Sequence, residues 1–255
     1  MKKDGPNSKG SRTMPPYQTI IYEKSNSIAY ITLNRPDVLN VYNTEMRDEL
    51  YQVFDGVKDD DEVKVVILKG AGDKSFCAGA DLTEFLTAPT PVTARQVRWE
   101  RDLWGLLLSV PQPIIGALHG YVFGSGLEMA LCCDLRIASD DAKFGLPESG
   151  LGIIPAAGAT QTLPRAIGRA KALEMLLTTH SIDAEEARGI GLVNRVVPFA
   201  DLLPLSREVA DKIMSYSQIA VRYAKRAIVD GLDLPLPEGL TLEQRLYKSL
   251  TFRIA

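Results

Sequence analysis

Two glutamates stand out because each lies in a segment that is otherwise apolar. Glu128 occurs within GYVFGSGLEMALCCD at 120–134, and Glu148 occurs within KFGLPESGLGIIP at 143–155. Burying an unpaired carboxylate costs several kcal/mol, so such a residue is usually exposed, paired or used in chemistry. An apolar setting raises the pKa of a carboxyl group, and two such groups could form an acid and base pair. Each glutamate taken singly is more often a salt-bridged structural residue, so spacing alone leaves both interpretations open.

Two turns rich in small residues come next. GYVFGSG at 120–126 predicts a strand that passes through small residues directly into a helix, which leaves backbone N–H groups at the positive helix end. SFCAGAD at 75–81 repeats the pattern, with Asp81 as the expected N-cap of a following helix. Two such loops could present two N–H donors to one oxygen, as an oxyanion hole requires. A tight turn that needs glycine for its dihedral angles is the alternative, and for the turn at 120–126 alone it is the favoured one.

Several other classes of site are excluded by the same residues. GYVFGSG lacks the GK[ST] of a P-loop and the glycine spacing of a dinucleotide fingerprint, and Ser125 lacks the flanking glycines of a nucleophile elbow. His119 and His180 have no ligand spacing between them, so we expect no metal site. Cys77 has no recognisable base partner, which argues against a thiol nucleophile.

Composition and charge restrict the partners and the compartment. The 255 residues carry a formal net charge of -3, with Lys and Arg spread along the chain, so we expect no nucleic-acid partner. No apolar run is long enough to span a bilayer, and the first sixteen residues lack the apolar core of a secretory signal. The three cysteines have no CxxC spacing and are expected to be reduced, which fits a cytoplasmic protein.

Hydrophobic periodicity predicts an α/β layer architecture, with strands that alternate with helices. From about residue 166 the pattern becomes mostly helical, and we place a soft boundary near 195–200. The predicted elements are a hairpin from strands 19–23 and 28–33, a helix capped by Thr44 and running through Val57, a strand at 63–70, a helix at 93–109, a strand at 113–120, a helix that follows from it within 120–134, a strand at 135–139 and a short strand at 193–197.

Five motifs in register resemble those of the crotonase, or enoyl-CoA hydratase, superfamily, and the resemblance runs from about Tyr17 to the C-terminus. They are LNRPDVLN (33–40), SFCAGADL (75–82), GYVFGSGLEMALCCDLRIAS (120–139), FGLPESGLGIIPAAGATQTLPRAIG (144–168) and AEEARGIGLVNRVV (184–197).

The resemblance implies a fold and an assembly. The fold is an α/β spiral of repeated ββα units over 17–197, preceded by a flexible tail at 1–16. The region 198–255 is a helical trimerisation region, which implies a homotrimer or a dimer of trimers. Relatives usually continue into another charged helix beyond the point matched by TFRIA, so this region is expected to be incomplete, with the last helix missing, disordered or supplied by a neighbour.

The resemblance also implies an acyl-CoA substrate and no separate cofactor, because the coenzyme A thioester is itself the substrate. Ala80 and Ser125 correspond to the residues whose N–H groups polarise the thioester carbonyl. The implied residues along the coenzyme A path are Val38, Ala78, Ala80, Asp81, Leu82 and Ser125.

Both glutamates match the pair that hydratases of this superfamily share. The implied reaction is the reversible syn addition of water to a 2-enoyl-CoA, with Glu148 giving a proton to the α carbon and Glu128 activating the water. The setting is fatty-acid β-oxidation. The alternatives are a Δ3,Δ2-isomerase, which relies on Glu148 alone, or a hydratase for a cyclic or branched acyl group. A non-catalytic, RNA-binding relative is a further alternative that the acidic charge balance disfavours.

Two departures from the superfamily pattern concern the pocket. Ser125 stands where a glycine is usual, so its backbone must avoid a positive φ. Ala156, Ala157 and Ala159 in PAAGAT also replace usual glycines and are expected to narrow the pocket beside Glu148. Pocket depth should depend on three aromatic side chains, which are Phe85, Trp99 and Trp104.

Overall fold

The computed structural model describes residues 17–87 and 101–251, and the side chains of residues 85–87 and 251 are not part of that description. Three sequence predictions lie wholly or partly outside these residues: the tail at 1–16, the 93–100 part of the predicted helix, and the end of the chain after residue 251. The strands are β1 Ile20–Ser25, β2 Ile28–Leu33, β3 Val65–Gly70, β4 Ser75–Cys77, β5 Ile114–Leu118, β6 Tyr121–Phe123, β7 Leu135–Ser139, β8 Lys143–Gly145, β9 Ile182–Asp183 and β10 Arg195–Val197.

The helices are mostly short in the first part of the chain and longer in the last. The α-helices are α1 Thr44–Asp59, α2 Leu103–Ser109, α3 Ser125–Leu131, α4 Ala159–Ile167, α5 Arg169–Thr178, α6 Ala184–Gly189, α7 Phe199–Met214, α8 Gln218–Gly231 and α9 Leu236–Thr251, and 3₁₀ turns cover Pro36–Val38, Leu82–Thr87 and Glu148–Leu151.

A six-stranded sheet forms the first layer, in the order β1-β2-β3-β5-β7-β10. The strands β1 and β2 pair antiparallel, which confirms the predicted hairpin, and its two turn residues Asn26 and Ser27 have φ of 52° and 63°. The remaining neighbours are parallel. Residues of β3 and β5 are buried on both faces of the sheet, as their continuous apolar runs predict.

A second sheet of four short strands, in the order β4-β6-β8-β9, was not predicted from the sequence. The local pattern does not distinguish SFC or YVF as separate strands, because it places SFC in a loop and the end of the strand at 113–120 directly before the helix within 120–134. Both segments are strands in the structure. Consecutive strands alternate between the two sheets, since β3, β5 and β7 belong to the first and β4, β6 and β8 to the second. This alternation, with a helix after each pair, makes the repeated ββα unit of the fold.

The cap of α1 differs from the prediction. Asn43, not Thr44, is the N-cap, because Asn43 is extended and its side chain accepts a hydrogen bond from the amide of Met46 at 2.9 Å. Thr44 is already helical, and its hydroxyl donates instead to a carboxylate oxygen of Glu84 at 2.9 Å. Both residues are cap formers, so only the backbone conformation distinguishes them.

The C-terminal helices are attached to the first sheet. Leu202 and Ala210 of α7 pack on one face of that sheet, among buried residues of β2, β3, β5 and β7. Helix α8 is held by Lys225, whose ammonium lies 2.7 Å from the carboxylate of Asp134. None of the helices in the described part of the chain combines the length and apolar character needed to cross a bilayer.

Candidate active site

Three parallel strands of the second sheet end at one edge, and each is followed by a predicted site residue. Ala78 to Ala80 follow β4, Gly124 and Ser125 follow β6, and Pro147 and Glu148 follow β8. Because the carboxyl ends of parallel strands lie at the same edge of a sheet, residues far apart in sequence come together there.

A cavity of about 400 Å³ opens at this edge. Apolar side chains form much of the cavity wall. The two glutamates and several other polar side chains form the rest. The residues that line it include Tyr42, Arg47, Ala78, Ala80, Leu82, Arg101, Asp102, Leu103, Trp104, Ser125, Glu128, Glu148, Ile153, Ile154, Ala156 and Ala157.

The loop after β4 presents the amide of Ala80. Tyr42 forms a parallel bridge opposite Ala80, donating its N–H to the carbonyl of Gly79 and accepting from the amide of Asp81, each at 2.8 Å. In such a bridge the N–H of the opposed residue points away from its partner. The Ala80 N–H makes no hydrogen bond to any residue that the structure describes, so it is available to a cavity ligand.

The loop after β6 presents the amide of Ser125. Gly124 has a positive φ of 50° with ψ -123°, a backbone conformation that favours glycine. Ser125, the next residue, begins α3 without a positive φ. The expected difficulty of a serine at this position is thus avoided by the glycine before it. Within the described ranges the Ser125 N–H also has no hydrogen-bond acceptor, as expected for the first residue of a helix.

The two loops touch through backbone atoms. A Cβ at Gly126 would lie 2.1 Å from the carbonyl oxygen of Cys77, so only glycine permits this approach. The close approach joins the amide-bearing loops of Ala80 and Ser125 side by side. The arrangement has the form of a two-donor oxyanion site.

Glu128 is buried, with 3% of its surface exposed, one turn into α3. Its Oε1 accepts hydrogen bonds from the amides of Ala157 at 2.8 Å and Ala159 at 3.1 Å. Two N–H donors stabilise the ionised form of a carboxylate, and Ala159 adds the positive end of α4. Ala156 and Ala157 line the cavity, and the amides of Ala157 and Ala159 hold Glu128.

Glu148 is partly buried at the start of a 3₁₀ turn. Its Oε2 is buried and has no hydrogen-bond partner among the residues described. Burial raises the pKa of the Glu148 carboxyl above its ordinary value; a hydrogen bond from its own backbone opposes this, and the charge of Glu128 adds to it. The carboxyl lies against Gly124, where a Cβ would come within 3.0 Å of Oε1. The two glutamates therefore share one cavity but differ in their environments.

The other predicted binding residues divide into two groups. Ala78 and Leu82 line the cavity, as does Trp104. Asp81 does not line it; its carboxylate pairs with Arg35 at 3.0 Å and accepts from the hydroxyl of Thr83 at 2.6 Å. Val38 also lies outside the lining and is 45% exposed. The Phe85 side chain and Trp99 lie outside the described residues.

The cavity contains polar residues that the sequence analysis did not single out, among them Tyr42, Arg47, Arg101 and Asp102. Burial raises the pKa of Tyr42 above its ordinary value, and its ring packs on that of Trp104 with the centroids 5.6 Å apart. A usable signal existed in the sequence, because Tyr42 and Arg47 flank the start of an amphipathic helix next to a recognised motif.

The remaining candidate groups are structural. Cys77, Cys132 and Cys133 are free and buried, and burial raises the pKa of Cys77 to about 11, which keeps it a thiol. His119 is buried with its ring 5.1 Å from that of Phe199. In residues 17–87 and 101–251 no group of three or more potential ligands is positioned to hold a metal ion.

Comparisons with known proteins point to one family. Residues 23–253 match the family model described as enoyl-CoA hydratase/isomerase. The chain is 40% identical to a crotonyl-CoA hydratase of Syntrophomonas wolfei, over 89% of this chain and 87% of that protein. It is 39% identical to a short-chain-enoyl-CoA hydratase of Clostridium acetobutylicum, over the same shares of 89% and 87%.

A solved structure supports the same assignment. The crystal structure of an enoyl-CoA hydratase from Bacillus anthracis superposes with a TM-score of 0.88 at 39% identity, covering 92% of each chain. Fold, sequence and family model thus coincide over most of the molecule. The chain belongs to the enoyl-CoA hydratase/isomerase family.

Proposed function

We propose that this protein catalyses the reversible syn addition of water to a 2-enoyl-CoA, giving a 3-hydroxyacyl-CoA through an oxyanion-stabilised enolate. It is an enzyme of the enoyl-CoA hydratase type, as its relatives at about 40% identity are. The observation that carries the proposed mechanism is the presence of Glu128 and Glu148, in contrasting environments, in one cavity with two amides that have no acceptor in the described chain.

The first part of the mechanism is charge stabilisation. The thioester oxygen would accept hydrogen bonds from the N–H groups of Ala80 and Ser125, which withdraws electrons from the conjugated double bond. These donors strengthen their interaction as negative charge develops on the oxygen, so they favour the enolate over the ground state. Fixed backbone donors need little reorganisation during the reaction.

The second part is proton transfer by the two glutamates. The water oxygen forms a bond to the β carbon, and the proton that it loses goes to Glu128, whose ionised form is stabilised by Ala157 and Ala159. Glu148 in its protonated form gives its proton to the α carbon, a role that suits its raised pKa. The π electrons of the double bond form the new C–H bond through the enolate. Proton exchange between the glutamates then restores the starting state.

The substrate enters as its coenzyme A thioester, and the mechanism uses no separate cofactor. We propose that the pantetheine arm passes Ala78 and Leu82, which line the cavity. Val38 and Asp81 are proposed to lie farther along the coenzyme A path, outside that cavity. Dehydration of a 3-hydroxyacyl-CoA follows the same steps in reverse.

The activity is tested directly by the ultraviolet absorbance of the conjugated enoyl thioester. Purified enzyme added to crotonyl-CoA, or to longer 2-enoyl-CoAs, should bleach this absorbance and yield the 3-hydroxyacyl-CoA, identified by mass spectrometry. Lack of product with every chain length tried would overturn the proposal.

We also propose a homo-oligomer, a trimer or a dimer of trimers, that works in the cytoplasm in fatty-acid β-oxidation. Large apolar side chains on α8, α9 and the segment between them support the assembly, because Ile228, Leu232 and Leu236 are 62%, 79% and 74% exposed in the single chain. Free, buried cysteines support a reducing compartment. Analytical ultracentrifugation tests the oligomer; a monomer at micromolar concentration would contradict it.

A further inference from the structure

Two arginines line the wall of the cavity. Arg47 comes from the first turns of α1 and Arg101 from the segment just before α2, and both line the cavity. They are joined through one carboxylate, that of Asp48. Arg47 contacts Oδ1 through Nε at 3.0 Å and through Nη2 at 2.9 Å, while Arg101 Nη1 lies 2.6 Å from Oδ2.

The charge of this cluster is not balanced within itself. Two guanidinium groups share a single carboxylate, so the three side chains together carry one positive charge. Asp102 also lines the cavity, but its carboxylate caps α2 and accepts from the amide of Gly105 at 3.1 Å. Each guanidinium has five N–H donors, and the contacts with Asp48 use two from Arg47 and one from Arg101. Among the residues that the structure describes, N–H donors of both arginines therefore remain without a partner and can bind an anionic acceptor.

The cluster is connected to the oxyanion loop through Tyr42. The main chain of Tyr42 holds the loop that bears Ala80, and the next residue, Asn43, caps the helix that carries Arg47. Electrostatic effects of both Arg47 and Glu128 reach the Tyr42 phenol. Arg47 thus lines the same cavity as the Tyr42 side chain and Glu128.

Apolar side chains provide the rest of the wall around this cluster, including Leu103, Trp104, Ile153 and Ile154. An arginine pair beside apolar surface suits an acyl chain that is hydrocarbon along its length and anionic at its end. A guanidinium binds a carboxylate with two parallel hydrogen bonds, which gives direction as well as affinity. A saturated chain end would instead leave these charged donors without an acceptor, at a cost in binding.

We propose that Arg47 and Arg101 select 2-enoyl-CoA substrates whose acyl group bears a distal carboxylate, that is, the mono-CoA thioesters of unsaturated dicarboxylic acids. This inference rests on the proposed hydratase function and adds the substrate class of the same site. The same donors could bind a phosphate of coenzyme A, and the experiment separates the two sources of negative charge.

The test compares substrates matched in length. Wild-type enzyme is assayed with 2-hexenoyl-CoA and with the mono-CoA thioester of 2-hexenedioic acid, and with the corresponding five- and seven-carbon pairs. At one or more lengths the dicarboxylic substrate should have the higher kcat/KM. In the Arg47→Gln and Arg101→Gln variants the ratio of the two kcat/KM values should fall by roughly 10-fold to 100-fold, the effect of losing a charge-assisted hydrogen bond.

The control is Arg165→Gln, which removes an exposed arginine outside the cavity, whose contacts are with Gln161 in its own helix and with Asp233 at 3.5 Å. It should leave the substrate ratio at its wild-type value. Thermal unfolding of each variant shows whether the fold is kept, and Arg47→Lys offers a second variant that retains the charge but not the bidentate geometry. We expect Arg47→Lys to give an intermediate ratio.

Two outcomes would overturn the inference while leaving hydratase activity intact. One is a wild-type preference for the monocarboxylic substrate at every length, with a ratio that the variants do not change. The other is an equal rise of KM for both members of each pair that disappears with pantetheine thioesters, which lack the nucleotide phosphates; the arginines would then bind coenzyme A. Inactivity of the wild type on all substrates would instead contradict the proposed function itself.

Discussion

The Oε1 atom of Glu128 lies 2.8 Å from the amide nitrogen of Ala157, a residue 29 positions farther along the chain. This contact ties the helix α3, which follows the Ser125 turn, to the segment that leads into α4. A side chain that is buried and held by two backbone amides has a fixed position and a stabilised negative charge. Both properties suit a group that receives a proton from water.

Glu128→Gln should keep the fold but lose most of the hydration rate. The carboxamide oxygen can still accept from the amides of Ala157 and Ala159, yet the group cannot take a proton. We expect kcat for crotonyl-CoA hydration to fall by about 10² to 10⁴-fold, the usual contribution of a positioned general base. Steady-state kinetics measure the effect, and circular dichroism checks the fold.

The same variant distinguishes the hydratase from the isomerase alternative. An isomerase that relies on Glu148 alone should still convert 3-hexenoyl-CoA to 2-hexenoyl-CoA after Glu128→Gln. Glu45→Gln, on the exposed first turn of α1, is the control and should retain wild-type kinetics in both assays. Unchanged hydration in the Glu128→Gln variant would remove Glu128 from the mechanism.

The raised pKa of Glu148 predicts how activity depends on pH. The productive state contains one proton on the glutamate pair, so kcat/KM should fall as pH rises through the raised pKa. Hydration takes up no net proton, and its equilibrium constant is independent of pH. The alkaline decline should therefore have the same midpoint for hydration and dehydration, at a pH above that of an ordinary glutamate. A midpoint at or below the ordinary value would contradict the assignment.

The stability of the fold should also depend on the protonation of Glu148. A carboxyl whose pKa is higher in the folded state stabilises the fold below its unfolded pKa, and this contribution is lost as pH rises through the folded value. Glu148→Gln cannot ionise, so the variant should gain thermal stability relative to wild type at neutral pH more than at acidic pH. Melting curves at several pH values measure the difference, and a constant difference would argue against the raised pKa.

Ser125→Pro tests the oxyanion donor with little change in the fold. Proline is tolerated at the first residue of a helix, and it removes only an N–H that has no acceptor in the described chain. We expect kcat to fall by about 10² to 10³-fold, as when one oxyanion donor is removed. Ser125→Ala keeps the N–H and should remain close to wild type. Similar activity of the two variants would exclude the Ser125 amide from catalysis.

Gly124→Ala should impair both stability and catalysis. The residue has a positive φ of 50°, and an added Cβ would lie 3.0 Å from the Glu148 Oε1. We expect a loss of about 1–3 kcal/mol in the free energy of unfolding from backbone strain, together with a lower kcat from displacement of Glu148. Gly56→Ala in α1 is the matched control, because nothing lies within 4 Å of its added Cβ. Chemical denaturation and hydration kinetics should show no loss there.

Asn40→Ala should destabilise the base of the site without removing a proposed catalytic group. The fully buried Asn40 side chain accepts from the amide of Arg35 at 2.9 Å and donates to the carbonyls of Ala71 at 2.9 Å and Ser75 at 2.8 Å. Loss of these bonds, with a positive φ of 55° that asparagine tolerates better than alanine, should cost about 2–4 kcal/mol.

The control for this variant is Asn26→Ala in the exposed hairpin turn. Asn26 has a similar φ of 52°, so it isolates the backbone effect from the hydrogen bonds. We expect it to cost about 1 kcal/mol. Equal unfolding midpoints for the two variants would mean that the bonds of Asn40 contribute little.

Local pattern was sufficient for the elements of the first sheet. The run at 63–70 is nearly continuously apolar because β3 is buried on both faces, and the hairpin at 19–33 carries its turn residues between two β-branched segments. The two glutamates can be identified for a similar reason. A charged residue inside an apolar run is unusual, and it is recognisable from the order of the residues alone.

The second sheet and the arrangement of the site depended on tertiary structure. The strands β4, β6 and β8 have three residues each, too few to show a periodicity. Their pairing is nonetheless what brings Ala80, Ser125 and Glu148 to one edge. The choice of Asn43 over Thr44 as helix cap likewise depended on a backbone angle.

The sequence by itself determined which groups could do chemistry, because residue type and local apolarity decide whether a carboxylate can act as an acid or base. Only the tertiary structure decided which groups meet. The amides of Ala157 and Ala159 fix Glu128, and Arg47 and Arg101 share Asp48, through contacts between distant segments. Such contacts are set by the packing of whole elements, and no local stretch of residues contains that information.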